Sequence, residues 1–171
     1  SNERLFIALE ARSMRLFGRY REIGILLAFL TVFGGIPSSA AGKVRIERAS
    51  DSGTVTMAQM VGEIRGARIV FVGENHGNRD HHRTQLEVIR SLRDTGVHVA
   101  IGLEMFPSKS QESLDDWVYD RIRESDFVKV FDENWSGNYW AAYRDIFEYA
   151  RVQDVPMIGL NVEKKVVRQV S

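Results

Sequence analysis

Apolar positions along the chain follow two alternating rhythms. Residues 67–72 (ARIVFV), 97–103 (VHVAIGL) and 156–160 (PMIGL) are short continuous apolar runs, as strands buried on both faces require. Between them the spacing turns helical. Leu86, Ile89 and Leu92 share one face over 81–95, and Gly96 stops that helix. Leu114, Trp117 and Val118 mark a helix over 109–119. Residues 123–137 predict a short helix and a loop. Asn138 caps a helix to about residue 152 that presents Trp140, Tyr143, Phe147 and Ala150 on one side. Upstream, residues 43–48 alternate like an edge strand, residues 51–53 form a turn, and Thr56 caps a helix to residue 64 that Gly66 ends. Apolar strands alternating with amphipathic helices predict an α/β fold: a mainly parallel sheet with crossover helices, in three layers. The pattern breaks off inside a helix that begins near Val162, so the C-terminal part of the domain is expected to be truncated.

The first forty residues follow neither rhythm. Residues 23–42 carry no charge, and 23–33 (IGILLAFLTVF) are almost wholly apolar. Arg15, Arg19 and Arg21 precede them; Gly34, Gly35, Pro37 and the small residues Ser39, Ala40 and Ala41 follow. A basic flank, a short apolar run and a small-residue site describe a secretory signal peptide. Cleavage after Ala41 is expected, with Met14 as a start and residues 1–13 as an upstream extension. The alternative is an uncleaved anchor, although a span needs ~20 apolar residues and the Gly-Gly-x-Pro break shortens this run. The division is therefore 1–41 as signal and 42–171 as the α/β domain. Export to the periplasm follows, with membrane association only through this segment if it stays attached.

Composition narrows the chemistry. Over 171 residues, 44% hydrophobic and 27% charged residues suit a single folded domain. The formal net charge is zero, so no global basic field draws nucleic acid. There is no cysteine, which excludes disulfides, thiolate metal sites, cysteine nucleophiles, a lipidated N-terminal cysteine and covalently attached haem.

In a parallel sheet, ligands bind beyond the carboxyl ends of the strands. The first buried strand leads into Gly73-Glu74-Asn75-His76, the second into Glu104 and the third into Asn161. Glu74 and His76 are two apart, so on extended chain they point the same way. With Glu104 they form a candidate set of oxygen and nitrogen ligands for a divalent metal with an open position for water. Without metal, the two carboxylates could share a proton for acid–base work. Taken singly, each carboxylate reads as a helix cap and His76 as a loop histidine. His81 and His82 open a helix and diverge by about 100°, so the pair reads more simply as surface residues, with His82 at the wet end of the Leu86 and Ile89 face. His98, inside a predicted buried strand, reads as a core histidine. Trp135, Tyr139, Trp140 and Tyr143 crowd together. Such a wall could stack on a flat macrocycle, and a tyrosinate can ligate ferric haem; the helical spacing of Trp140, Tyr143 and Phe147 equally suits core packing.

The string IVFVGENHGNRDHHRTQLEVIRSL resembles the opening motif of the ChaN-like haem-binding uptake proteins, within the Tiki/TraB-type superfamily. Later pieces follow the same pattern in order: IGLEMFPSKSQESLDDW with Gln111, Leu114 and Asp115, then Trp135 and Trp140, Tyr143, and VPMIGLNV. The resemblance spans about residues 43–171. It implies an exported protein of iron acquisition that binds haem, in dimers that hold it at their interface. His76, His82, Tyr139, Trp140 and Tyr143 are the haem-binding candidates. Superfamily relatives are metal-dependent peptidases or esterase-like hydrolases, where the positions of Glu74, His76 and Glu104 belong to the active site; a metal-dependent hydrolase is therefore the alternative function. Many members are lipoproteins, a feature that the lack of cysteine removes here.

Overall fold

A computed structural model of the chain describes residues 4–10, 45–135 and 139–162. The predicted apolar leader, the Asn138 cap and the helix beyond Val162 lie outside these residues. β2 (Ile46–Glu47) and β3 (Thr54–Val55) make a small antiparallel hairpin. Its turn is closed by the Gly53 N–H donating to Asp51 Oδ1 at 2.9 Å, and the Arg48 N–H reaches back to the Gly53 carbonyl at 2.8 Å. Helix α1 (Met57–Ile64) starts on the predicted cap. The Thr56 hydroxyl accepts from the Gln59 N–H, and the Gln59 side chain accepts from the Thr56 N–H. This reciprocal box satisfies two donors that a helix start leaves open.

The main sheet runs in the order β4-β1-β5-β6, with β1 at Arg4–Glu10, β4 at Ile69–Gly73, β5 at His98–Pro107 and β6 at Met157–Asn161. β5 and β6 pair in parallel, as expected. The rest of the sheet departs from the mainly parallel expectation: β1 lies between β4 and β5 and runs antiparallel to both. β4, β5 and β6 still point one way, so their carboxyl ends open on the same rim. The source of β1 is the short apolar run at residues 5–9, ahead of the arginines, which is long enough for one strand.

The connecting helices are α2 (Arg79–Asp94), α3 (Gln111–Val118), α4 (Glu124–Asn134) and α5 (Trp140–Val152), with a 3-10 turn at Ser108–Ser110 ahead of α3. Val70, Ile101, Leu103 and Met157 project from one sheet face into the core, where Leu86, Ile89 and Leu92 of α2 meet them. Under β5 the aromatic rings do most of the filling. Phe106, Trp117, Phe127, Phe131 and Phe147 are all fully buried, and Trp140 packs edge-on against Trp117 and Phe131 at 5.5 and 5.3 Å. Each such ring removed from water contributes roughly 1.5–3 kcal/mol. Trp117 also satisfies its indole N–H on the Phe147 carbonyl at 2.8 Å, which ties α3 to α5.

β6 seats against β5 through Gly159. A Cβ there would stand 2.7 Å from the Pro107 carbonyl oxygen and 3.1 Å from that of Phe106, both rigid backbone. Gln111 braces the same junction. Its amide donates to the Met157 carbonyl at 2.8 Å, and its oxygen accepts from the Gly159 N–H at 3.1 Å. Gly159→Ala is therefore expected to lower the unfolding free energy by about 1–3 kcal/mol through overpacking. Urea denaturation checks this; an unchanged midpoint would mean that β6 does not approach β5 so closely.

Candidate functional site

The site begins where β4 ends. Residues 74–78 leave the sheet and turn into α2, whose first N–H groups are capped by the Asn78 side chain on Asp80 and His81. Gly77 has φ +78°, and a side chain at that position would meet the Tyr139 ring at 3.3 Å, so the loop and Tyr139 close on each other only because residue 77 is glycine. The Asn75 N–H donates to His81 Nδ1 at 2.9 Å. His81 thus serves the loop backbone.

Glu74 is the centre. Its side chain is 4% exposed, and partners from three chain segments surround it. Oε1 lies 2.9 Å from His76 Nδ1 and accepts the Tyr143 hydroxyl from α5. The Tyr143 oxygen is also 3.3 Å from His76 Nδ1. Oε2 stands 2.7 Å from His82 Nδ1, off the line of a good hydrogen bond, which makes this contact chiefly electrostatic. His82 Nδ1 also faces Gln85 Oε1 at 3.2 Å. The His82 ring lies against Tyr143 at 4.1 Å, and the His76 ring meets Trp135 edge-on at 4.8 Å and Tyr139 at 6.3 Å. Burial pushes the Glu74 pKa up, but contacts from His82, Tyr143 and His76, together with the charge of His82, outweigh it and hold Glu74 below the ordinary carboxylate range. Glu74 is an anion that organises its neighbours.

The sequence candidates separate accordingly. Glu74, His76, His82 and Tyr143 come together, with Tyr139 at their edge. His82, expected at the surface, is 3% exposed, because its helical phase with Leu86 and Ile89 turns it fully inward. Tyr143 is both core residue and site residue: its ring is buried and its hydroxyl reaches Glu74. Trp140 belongs to the aromatic core, and its indole N–H donates to Glu124 at 3.1 Å. β5 runs on to Pro107, so Glu104 lies within the strand and not beyond its end. The register through β1 sets Leu103 level with Val72, so Glu104 lies level with the end of β4; among the described residues no three His, Asp or Glu side chains are grouped to hold a metal ion. Asn161 is exposed and accepts from the Val162 N–H at 2.8 Å. His98 is exposed where a core position was expected, since it opens β5 and the inward register starts at Val99. Gln85, fully buried beside His82, had no place among the candidates; its signal was an amide on an otherwise apolar helix face.

At the carboxyl end of this α/β sheet one buried carboxylate orients two imidazoles and a phenol. Residues 60–171 match the family of haem-binding uptake proteins of the ChaN type in the Tiki superfamily, and the chain belongs to that family. No curated protein and no solved structure gives a significant match.

Tyr143→Phe keeps the ring in the core and removes one donor from a buried carboxylate. The expected cost is about 1.5–3 kcal/mol at neutral pH. Because the folded Glu74 pKa lies below its ordinary 4.5, that contribution is fully present above pH 4.5 and is lost as pH falls through the lower folded value. Denaturation of both proteins between pH 3 and 7 checks this; a cost that grows on acidification would contradict it.

Proposed function

We propose that the protein binds haem as cargo at the rim built by His76, Tyr139 and Trp135, with Glu74, Tyr143 and His82 as the frame behind it. The observation that carries this reading is the pairing of His76 with Glu74: the imidazole is held through Nδ1 at 2.9 Å and its side chain is 22% exposed, whereas His82 and Tyr143 are sealed inside. A carboxylate on one ring nitrogen fixes the tautomer and orientation of an imidazole that ligates iron through the other; Nε2 of His76 is buried, so haem must displace the Trp135 edge packed on the ring to reach it. Tyr139 is the second rim group able to ligate ferric iron. The donor set also suits the ligand's edge. The Trp135 indole N–H beside His76 is buried and meets no acceptor among the described residues, and the carboxylates of haem would supply one.

The role is carriage and not chemistry. Hydrolysis through Glu74, His76 and Glu104 has less support, since both oxygens of Glu74 already face Tyr143, His76 and His82. Export to the periplasm and service in iron acquisition are part of the proposal. They draw on the basic, apolar and small-residue pattern of residues 15–41 and on the uptake role in the family description. Cleavage after Ala41 would remove β1 and leave the parallel strands β4 and β5 to pair with each other. A homodimer closing over the haem is proposed from the family resemblance alone. No helix among the described residues is long and apolar enough to cross a membrane.

Titration of hemin into the full chain tests the reading. A saturable, shifted Soret band at stoichiometric hemin is expected. His76→Ala should weaken binding about tenfold or more, and Tyr139→Phe should instead alter the ferric charge-transfer bands if the phenolate is the ligand. Free-hemin absorbance over a protein that circular dichroism shows to be folded would overturn the proposal.

A further inference from the structure

The buried amide of Gln85 lies one helical turn beyond His82, between α2 and the last residues of β4. Gln85 Nε2 donates to the Val72 carbonyl at 3.4 Å, two residues before Glu74. A carbonyl can only accept, so it fixes which end of the amide faces the strand. The oxygen then faces His82 Nδ1 at 3.2 Å. Glu74 Oε2, also an acceptor, faces the same nitrogen at 2.7 Å. Two acceptors around one ring nitrogen place the proton there, and Gln85 is the one that takes it in hydrogen-bond geometry. His82 Nε2 is buried and has no hydrogen-bond partner among the described residues. A proton on Nε2 would be a buried N–H without an acceptor, which is unfavourable.

We propose that Gln85 is the positioning residue of this site: anchored on the Val72 carbonyl, it locks His82 as the Nδ1–H tautomer and so sets how the Glu74 carboxylate is presented to Tyr143 and His76. The argument uses α2 and β4 only and does not need haem. Its consequence for haem rests on the reading above. Gln85 is too deep to touch a ligand at the rim, so it acts through His82 and Glu74.

The test is two-bond proton–nitrogen correlation spectroscopy on the full chain with labelled histidine, without haem, at pH 8. Wild type is expected to show His82 protonated at Nδ1 and not at Nε2. Gln85→Met keeps the length and removes both polar atoms; Gln85→Asn keeps the amide but draws it back from His82. Both should give a mixed or reversed His82 tautomer. A merely structural Gln85 would change stability and leave the tautomer alone. A wild-type His82 protonated at Nε2 would overturn the proposal whatever the variants do, as would an unchanged His82 pattern in folded Met and Asn variants. Hemin affinity on the same samples is expected to fall about tenfold in Gln85→Met. If the tautomer shifts and hemin affinity does not, the positioning of His82 stands and the coupling to haem fails.

Discussion

A buried carboxylate cannot stand alone, and that constraint shapes this molecule. Taking Glu74 out of water costs several kcal/mol unless its oxygens are matched by donors. The chain meets that demand from three directions: His76 from the loop, His82 from the first turn of α2 and Tyr143 from α5. These segments must therefore converge at the carboxyl end of β4. The Gly77 turn, the Asn78 cap and the Gly159 seat are the local devices that let them do so.

Tyr143 shows how the core and the site depend on each other. Its ring sits on the face of α5 that also buries Ile146, Phe147 and Ala150, so hydrophobic packing fixes the helix and the phenol arrives at Glu74 with little freedom left to lose. Trp117, Phe127 and Phe131 pack against Trp140 and Phe147 of the same helix. The site is thus placed by side chains that carry no chemistry. His76 gains its orientation from behind, through Nδ1, and its partly exposed ring lies beside Tyr139 and Trp135.

Much of this was legible in the residues. The three strands, the capping box at Thr56 and the helical faces of α2, α3 and α5 follow from local periodicity, which is a property of neighbours in sequence. Glu74 and His76 were readable as a pair because an extended segment points alternate residues the same way. Non-local facts were not readable. The pairing of residues 4–10 between β4 and β5 depends on strands sixty and ninety residues away, and nothing near that run announces its partners. Glu104 was placed beyond its strand because that strand was ended at Leu103, whereas β5 runs on to Pro107. His82 was read at the wet end of the Leu86 and Ile89 face, paired with His81 at the surface; the buried carboxylate that makes an inward position tolerable lies on another element. Gln85 escaped notice for the same reason.

The central claim is that Glu74 is a buried anion held by its neighbours, and its own titration tests that most directly. Carboxyl carbon chemical shifts of Glu74, followed from pH 7 to pH 2 in the full chain, should give a midpoint clearly below the ordinary 4.5. A midpoint above 4.5 would mean that burial prevails over its partners, that Glu74 gives up its charge before its neighbours do, and that the frame behind His76 is not the one described.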